Sequence, residues 1–253
     1  MFINRIGWPY YRLQKNYFWK VYYLVFGVPF MSSHLIYDLL RRHNVVNVGD
    51  TIIDIGCGNG VFLNQLSIDK QVRGIGLDRM SKRICIAQKV SNQNNLGNNF
   101  LVTDFEKSPP DYKGNVALLL DVMEHLSEPE AVIKNLAITS VSKIVIQTPY
   151  GQDGKYILKE EKFLYGHDAH IRTGFNINDL RQILETNGYK ITVMENNFYA
   201  ISQLVYEILE LFRRRSRLIY ALLWPFFYPL CWLDTVLLRL GRPNGIFVIV
   251  NKK

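Results

Sequence analysis

The chain has 253 residues, 48% of them hydrophobic, which is enough for one sizeable core and leaves no room for a disordered or low-complexity protein. Its 30 Lys and Arg against 22 Asp and Glu give a formal charge of +8, which points toward an anionic partner or surface. Cys57, Cys85 and Cys231 are far apart and form no Cys-x-x-Cys, which excludes a disulfide framework and a zinc cluster and makes a reducing cytoplasm the expected compartment.

Residues 1–48 open the chain with six Arg or Lys against the single Asp38, and with Trp8 and Trp19. Within them, residues 17–30 form an apolar aromatic run. Lys20 interrupts it and no small-residue cleavage site follows, so an interfacial helix or a cap over a pocket is expected rather than a signal peptide. His34 and His43 read as helix-surface residues.

The first strand is expected at 51–55. It runs into Gly56-Cys57-Gly58-Asn59-Gly60, with Asp54 just before the turn. Glycines at alternate positions let the backbone turn tightly and approach a ligand closely, and a helix starting near Val61 aims free N–H groups at it. A dinucleotide fingerprint needs Gly-x-Gly-x-x-Gly, but position 61 is Val, which argues against nicotinamide and flavin. Strands follow at 72–77, 100–103 and 116–120, each leading to an acidic residue: Asp78, Asp104 and Asp121. Asp78 stands about 20 residues after the glycines, the distance at which a nucleotide fold places its ribose-binding carboxylate. Further strands are expected at 143–147, 189–195 and 245–251. Asn176 or Asn178 caps a helix between the first two of these, and Gly188 stops it.

Residues 198–244 interrupt this alternation just before the last strand. They carry Trp224, Trp232 and six Arg against Glu207, Glu210 and Asp234. The two flanks therefore hold the whole net charge and all four tryptophans. Over 201–215 the residues Ile201, Leu204, Val205, Ile208, Leu211 and Phe212 follow helical spacing, opposite Gln203, Glu207, Glu210 and Arg214. The apolar run 218–233 is short for a spanning helix and contains Pro225 and Pro229. It reads as a broken segment lying on a membrane or dipping into one leaflet, where Trp, Tyr and Arg suit an anionic interface. An active-site lid and an oligomer interface are the alternatives for this segment.

The stretch Asp54-Ile-Gly-Cys-Gly-Asn-Gly60, followed by the ordered acids, resembles the first motif of class I S-adenosylmethionine-dependent methyltransferases, over the next 140 or so residues. The resemblance implies an α/β fold: a Rossmann-like seven-stranded sheet, here with an N-terminal helical extension and a helical apolar insert before the last strand. The division expected is 1–48 (basic aromatic extension), 49–197 (methyltransferase core), 198–244 (apolar helical insert) and 245–253 (last core strand). It further implies S-adenosylmethionine held by Asp54, Gly56, Cys57, Gly58, Gly60, Asp78, Arg79, Asp104, Phe105 and Asp121, with Asp104 near the adenine.

Methyl transfer to oxygen or nitrogen releases a proton, which a histidine accepts readily. His125, beside Asp121, and His167 and His170, in the loop after the fifth strand, are the catalytic candidates together with Asp121. Asp121-Val-Met-Glu124-His125 is also similar to the Glu-x-x-Glu-His signature of metal-using methyltransferases, including the ubiquinone-pathway O-methyltransferases. On one helical face, Asp121, Glu124 and His125 could hold a divalent ion, although Asp replaces the first Glu and the same Glu-His-Leu occurs in relatives without metal, so no metal is expected. The expected acceptor is an amphipathic or lipid-linked small molecule, such as a quinone, lipid or lipid-carried sugar, met by a protein peripheral on an anionic membrane. A nucleic-acid methyltransferase using the basic flanks, disfavoured because those residues adjoin long aliphatic runs, and a non-catalytic cofactor-binding scaffold are the other readings.

Overall fold

A computed structural model describes residues 4–107, 113–151, 157 and 171–253. Seven strands form one sheet: β1 (Thr51–Ile55), β2 (Arg73–Asp78), β3 (Asn99–Val102), β4 (Val116–Leu120), β5 (Lys143–Pro149), β6 (Tyr189–Asn197) and β7 (Gly245–Lys252). Their order is β3-β2-β1-β4-β5-β7-β6, with β7 antiparallel to both neighbours and β1 to β5 parallel. Parallel strands covered on both faces need continuous apolar runs, and all five residues of Val116–Leu120 are buried. The strand order reverses between β1 and β4. Their carboxyl ends therefore diverge and leave a crevice, the place where open α/β sheets bind ligands.

Helices α3 (Val61–Lys70), α4 (Ser81–Gln93), α5 (Pro129–Ala137) and α6 (Ile177–Thr186) alternate with the strands. Asn176 caps α6 by accepting the Asp179 N–H at 2.8 Å. One apolar cluster (Ile52, Leu63, Phe100, Leu118, Phe247) covers one side of the sheet, and a second (Ile53, Leu119, Ile133, Leu180, Val248) covers the other.

A third cluster lies away from the sheet, where α2 (Met31–Arg42) meets α7 (Ala200–Arg215) and α8 (Arg217–Leu233). Trp224, wholly buried, is at its centre. His34 packs against Trp224 with ring centres 4.4 Å apart and the rings tilted by 32°, and its two ring nitrogens meet Asn4 Oδ1 and the Val28 carbonyl, each at 2.8 Å. Burial lowers its pKa to about 4, against the pull of those two oxygens. The expectation of a surface histidine is thus overturned: the apolar residues around it come from three distant parts of the chain. His43 is half-buried and meets Glu195 at 2.9 Å.

Helix α8 is continuous through Pro225 and Pro229, not broken. Proline removes the N–H that would bond to the carbonyl four residues earlier, Ala221 for Pro225. Tyr22, on α1 (Tyr17–Phe26), fills that gap: its hydroxyl donates to the Ala221 carbonyl at 2.8 Å and accepts from Trp224 Nε1. A π-helical turn, Asp234–Leu238, ends the insert.

Candidate functional site

The glycine turn joins β1 to α3 at the crevice. Gly56 has φ 68°, and a Cβ there would lie 2.4 Å from Val122 Cγ2, so no larger residue fits. Gly58, at φ 55°, has nothing within 4 Å of where its Cβ would be; that side of the loop is an open cradle. Asp78, at the end of β2, fixes the loop's position. Its Oδ2 accepts the Gly58 N–H at 2.9 Å and its Oδ1 the Met80 N–H at 2.8 Å, while further lone pairs are left for a ligand hydroxyl. Asp54 is buried behind the loop. Burial and the Asp78 charge raise its carboxyl to about 8, and its Oδ2 has no hydrogen-bond partner among the described residues. The Cys57 thiol is pushed up by burial and by both carboxylates, which makes it inert as a nucleophile.

A cavity of about 270 Å³ opens on this loop. Gly56, Asp78, Arg79, Met80, Arg83, Phe105, Asp121, Val122, His125 and Leu126 line it. Predicted residues from four separate stretches of sequence thus meet at one wall, and Met80, Arg83, Val122 and Leu126 are additions. A larger cavity of about 550 Å³ lies between the N-terminal segment, α2 and α3, and includes neither the glycines nor the strand-end acids. The smaller cavity is the one on which the expected cofactor residues converge.

Asp121 follows β4 in the left-handed region, φ 54°, with its N–H on the Gln147 carbonyl at 2.8 Å. Its side chain is open to the cavity, yet protein crowds around it, and that desolvation raises its carboxyl above the usual range. Glu124 is buried and accepts from the Thr148 hydroxyl at 3.2 Å; burial and the Asp121 charge raise it as well. Residues Met123–His125 form a 3₁₀ turn, so the helical face supposed for Asp121, Glu124 and His125 does not exist. Asp121 and His125 line the cavity whereas Glu124 does not, and no group of three or more His, Cys, Asp or Glu able to hold a metal occurs among the described residues.

Asp104 is not a lining residue. It accepts the Glu106 N–H at 3.3 Å and pairs with Lys107 at 3.3 Å, while the adjoining Phe105 forms the wall. Gly60 caps α3, and neither it nor Asp54, Cys57 or Gly58 lines the cavity. His167 and His170 lie outside the described residues.

Tyr10 is a residue that no motif or spacing singles out. It belongs to a 3₁₀ helix, Trp8–Leu13, and its buried hydroxyl donates to the Asn59 carbonyl inside the glycine turn at 2.5 Å while accepting from Asn64 Nδ2 at 3.2 Å. The Gly7 N–H donates to Gln65 Oε1 at 2.9 Å, and Arg12 reaches the Gln93 carbonyl. The N-terminal segment is therefore a strap across the back of the cofactor loop. Its target is a backbone carbonyl 49 residues away, which no pattern encodes.

Open space beside Gly58 and a carboxylate, Asp78, on the cavity wall with lone pairs to spare suit a nucleoside that carries donors. A family profile described as a methyltransferase domain matches residues 30–193. The ubiquinone biosynthesis O-methyltransferase of Rickettsia bellii is 24% identical over 108 residues, 43% of this chain and 44% of that protein, so the chain spans less than half the length of this curated relative. Magnesium protoporphyrin IX methyltransferase (ChlM) from Synechocystis PCC 6803, solved with bound SAH, shares the fold at a TM-score of 0.55 and 18% identity over 99% of this chain and 93% of that one. Geranyl diphosphate C-methyltransferase from Streptomyces coelicolor A3(2) does so at a TM-score of 0.60 and 13% identity over 88% and 76%. With the matched profile covering both the glycine turn and the strand-end acids, the chain belongs to the methyltransferase-domain family.

Proposed function

We propose that the protein methylates an oxygen or nitrogen atom of an amphipathic or lipid-linked small molecule. The observation that carries this reading is the shared wall of the cavity, where Asp121 and His125 stand with Gly56 and Asp78. S-adenosylmethionine brings a methyl group on a sulfonium, which is its own leaving group. What remains for the chain is to align the acceptor, exclude water and take one proton. Phe105, Val122 and Leu126, all buried, form the apolar part of the wall and limit water access. Either Asp121, with its raised pKa, or His125 takes the proton from the acceptor as the new bond forms. Asp78 holds the ribose, and the Asp54–Gly60 turn holds the rest of the nucleoside.

Two relatives favour an apolar acceptor by their names alone: a ubiquinone biosynthesis O-methyltransferase and a geranyl diphosphate C-methyltransferase. The apolar flanks add to this, and we place the enzyme in the cytoplasm, peripheral on a membrane. The test is transfer of labelled methyl from S-adenosylmethionine into a cell lipid extract and, in parallel, into a nucleic-acid fraction. Label in an organic-soluble product is expected; label confined to nucleic acid would overturn the acceptor class.

A further inference from the structure

Nineteen of the twenty-seven large apolar side chains that stand exposed among the described residues fall in 17–30 and 208–240. On α1 they include Phe18, Val21 and Val25; on α8 they include Leu222, Phe226 and Leu230. The two helices are joined at the Tyr22–Ala221 bond, so their outer faces belong to one side of the molecule. The inner face of α8, formed by Tyr220, Trp224, Tyr228 and Cys231, is spent on the third core cluster. A lid packed apolar side down would show the reverse.

Helix α7 is turned the same way. Its acids Glu207 and Glu210 are buried, at 2% and 7% exposure, while Ile208, Leu211 and Phe212 face outward. Each acid of the two flanks is engaged inside the protein. Glu207 accepts from Gln203 at 2.8 Å, and Glu210 pairs with Arg213. Asp234 accepts the Ser202 N–H at 2.8 Å and its hydroxyl at 2.9 Å, and half-buried Asp38 accepts from Asn4 at 2.7 Å and from Tyr228. The cations are distributed oppositely: Lys15, Lys20, Arg215, Arg217, Arg239 and Arg242 are all exposed. The outer surface of the flanks is thus apolar and cationic, with its negative charge withdrawn.

We propose that the outer faces of α1 and α8, with the exposed end of α7, form one docking surface for the headgroup layer of an anionic bilayer. The proposal deepens the reading above, since it rests on an acceptor met at a membrane, and it names the face that meets it. Two segments, Tyr17–Arg42 and Arg217–Leu238, are long and apolar enough by length and composition to cross a membrane. Met31 and Leu35 of the first and Tyr220, Trp224, Tyr228 and Cys231 of the second pack on each other and on Val205 and Leu209, so both lie along the surface instead, apolar residues at headgroup depth and cations on lipid phosphates. On α7, burial above all raises the Tyr206 phenol, with Glu210 and Tyr220 adding to it.

The test is sedimentation of the full chain with vesicles of phosphatidylcholine, alone or mixed with phosphatidylglycerol. Binding is expected to the mixed vesicles, and to weaken as salt rises. Neutralising each of Arg215, Arg217, Arg239 and Arg242 with Gln should weaken it about five-fold per residue. The triple variant L222E/F226E/L230E should abolish it, while I138E, an exposed apolar position outside the face, should not. Calorimetry with S-adenosylhomocysteine keeps the variants honest, because a folded core binds it unchanged. Wild-type binding that is absent, or indifferent to the triple variant, overturns the proposal. So does a dimer that the triple variant dissociates while vesicles are ignored, since the face would then belong to a second copy. Label transfer into detergent-dispersed lipid is read separately: transfer without vesicle binding sinks the docking face alone, and docking without any lipid methylation sinks the acceptor class alone.

Discussion

The sheet and the flanks use the same amphipathic language with opposite results. In the sheet and its covering helices, apolar residues go inward and charge goes outward, so β4 is buried along its whole length. In the flanks, Glu207, Glu210 and Asp234 go inward and Phe226, Leu222 and Ile208 go outward. The difference teaches that periodicity identifies a helix and its two faces but does not say which face meets water; the neighbouring elements decide that. A surface that withdraws its carboxylates and exposes its phenylalanines is an apolar patch of the kind that marks an interaction site.

If the flanks form their own core around Trp224, the largest effect on stability should come from there. Trp224→Ala should lower unfolding free energy by about 3–5 kcal/mol in denaturant melts. S-adenosylhomocysteine affinity well below the transition should stay the same, and its loss would show that sheet and flanks are one unit. Asp121→Asn probes the other region. It should reduce turnover by about 100-fold with cofactor affinity little changed, the size expected for a lost proton acceptor or its partner. Unchanged turnover would leave His125 as the sole acceptor.

The pH dependence sharpens the comparison further. The unfolded histidine titrates near 6.5 and His34 in the fold near 4, so the unfolded chain takes the proton first and stability falls as pH drops through that interval. Its contribution between pH 7 and 4.5 is about 2–3 kcal/mol. Asp54, raised in the fold, works the other way over the whole of that range, so the measurement is the difference in pH slope between the wild type and His34→Gln. Equal slopes would mean that His34 keeps its proton between its two oxygens. The smallest effect is expected at the junction. Tyr10→Phe removes one hydrogen bond to the glycine turn, about 1 kcal/mol, and should weaken cofactor binding about five-fold by calorimetry without changing the acceptor's apparent affinity.

The strands were legible because parallel strands need short unbroken apolar runs, and each expected strand falls within two residues of the observed one. The cavity wall was legible for a related reason. A residue at the carboxyl end of a parallel strand lies at the edge where such sheets bind ligands, which is why Asp78, the last residue of β2, and Asp121, just after β4, arrive there whatever the helices do. Asp104 shows the limit of this rule: it too follows a strand, but the turn engages its carboxylate locally and brings Phe105 to the wall. The shared helical face of Asp121, Glu124 and His125 was misread because it assumed a helix at 121–125, where a left-handed Asp121 and a 3₁₀ turn send Glu124 inward.

By itself the sequence determined the sheet and the glycine turn, because each depends on local periodicity, on positive φ or on a fixed offset between strand and turn, while the cofactor came from the resemblance of Asp54–Gly60 to a family motif. Only the tertiary structure decided the fate of the flanks. Tyr22 completes the proline gap in α8 from 199 residues away, His34 is sealed beneath Trp224, and Tyr10 reaches a carbonyl in the cofactor loop. Such bonds join groups whose chemical need, an unpaired carbonyl or a buried ring nitrogen, arises only once distant segments have come together.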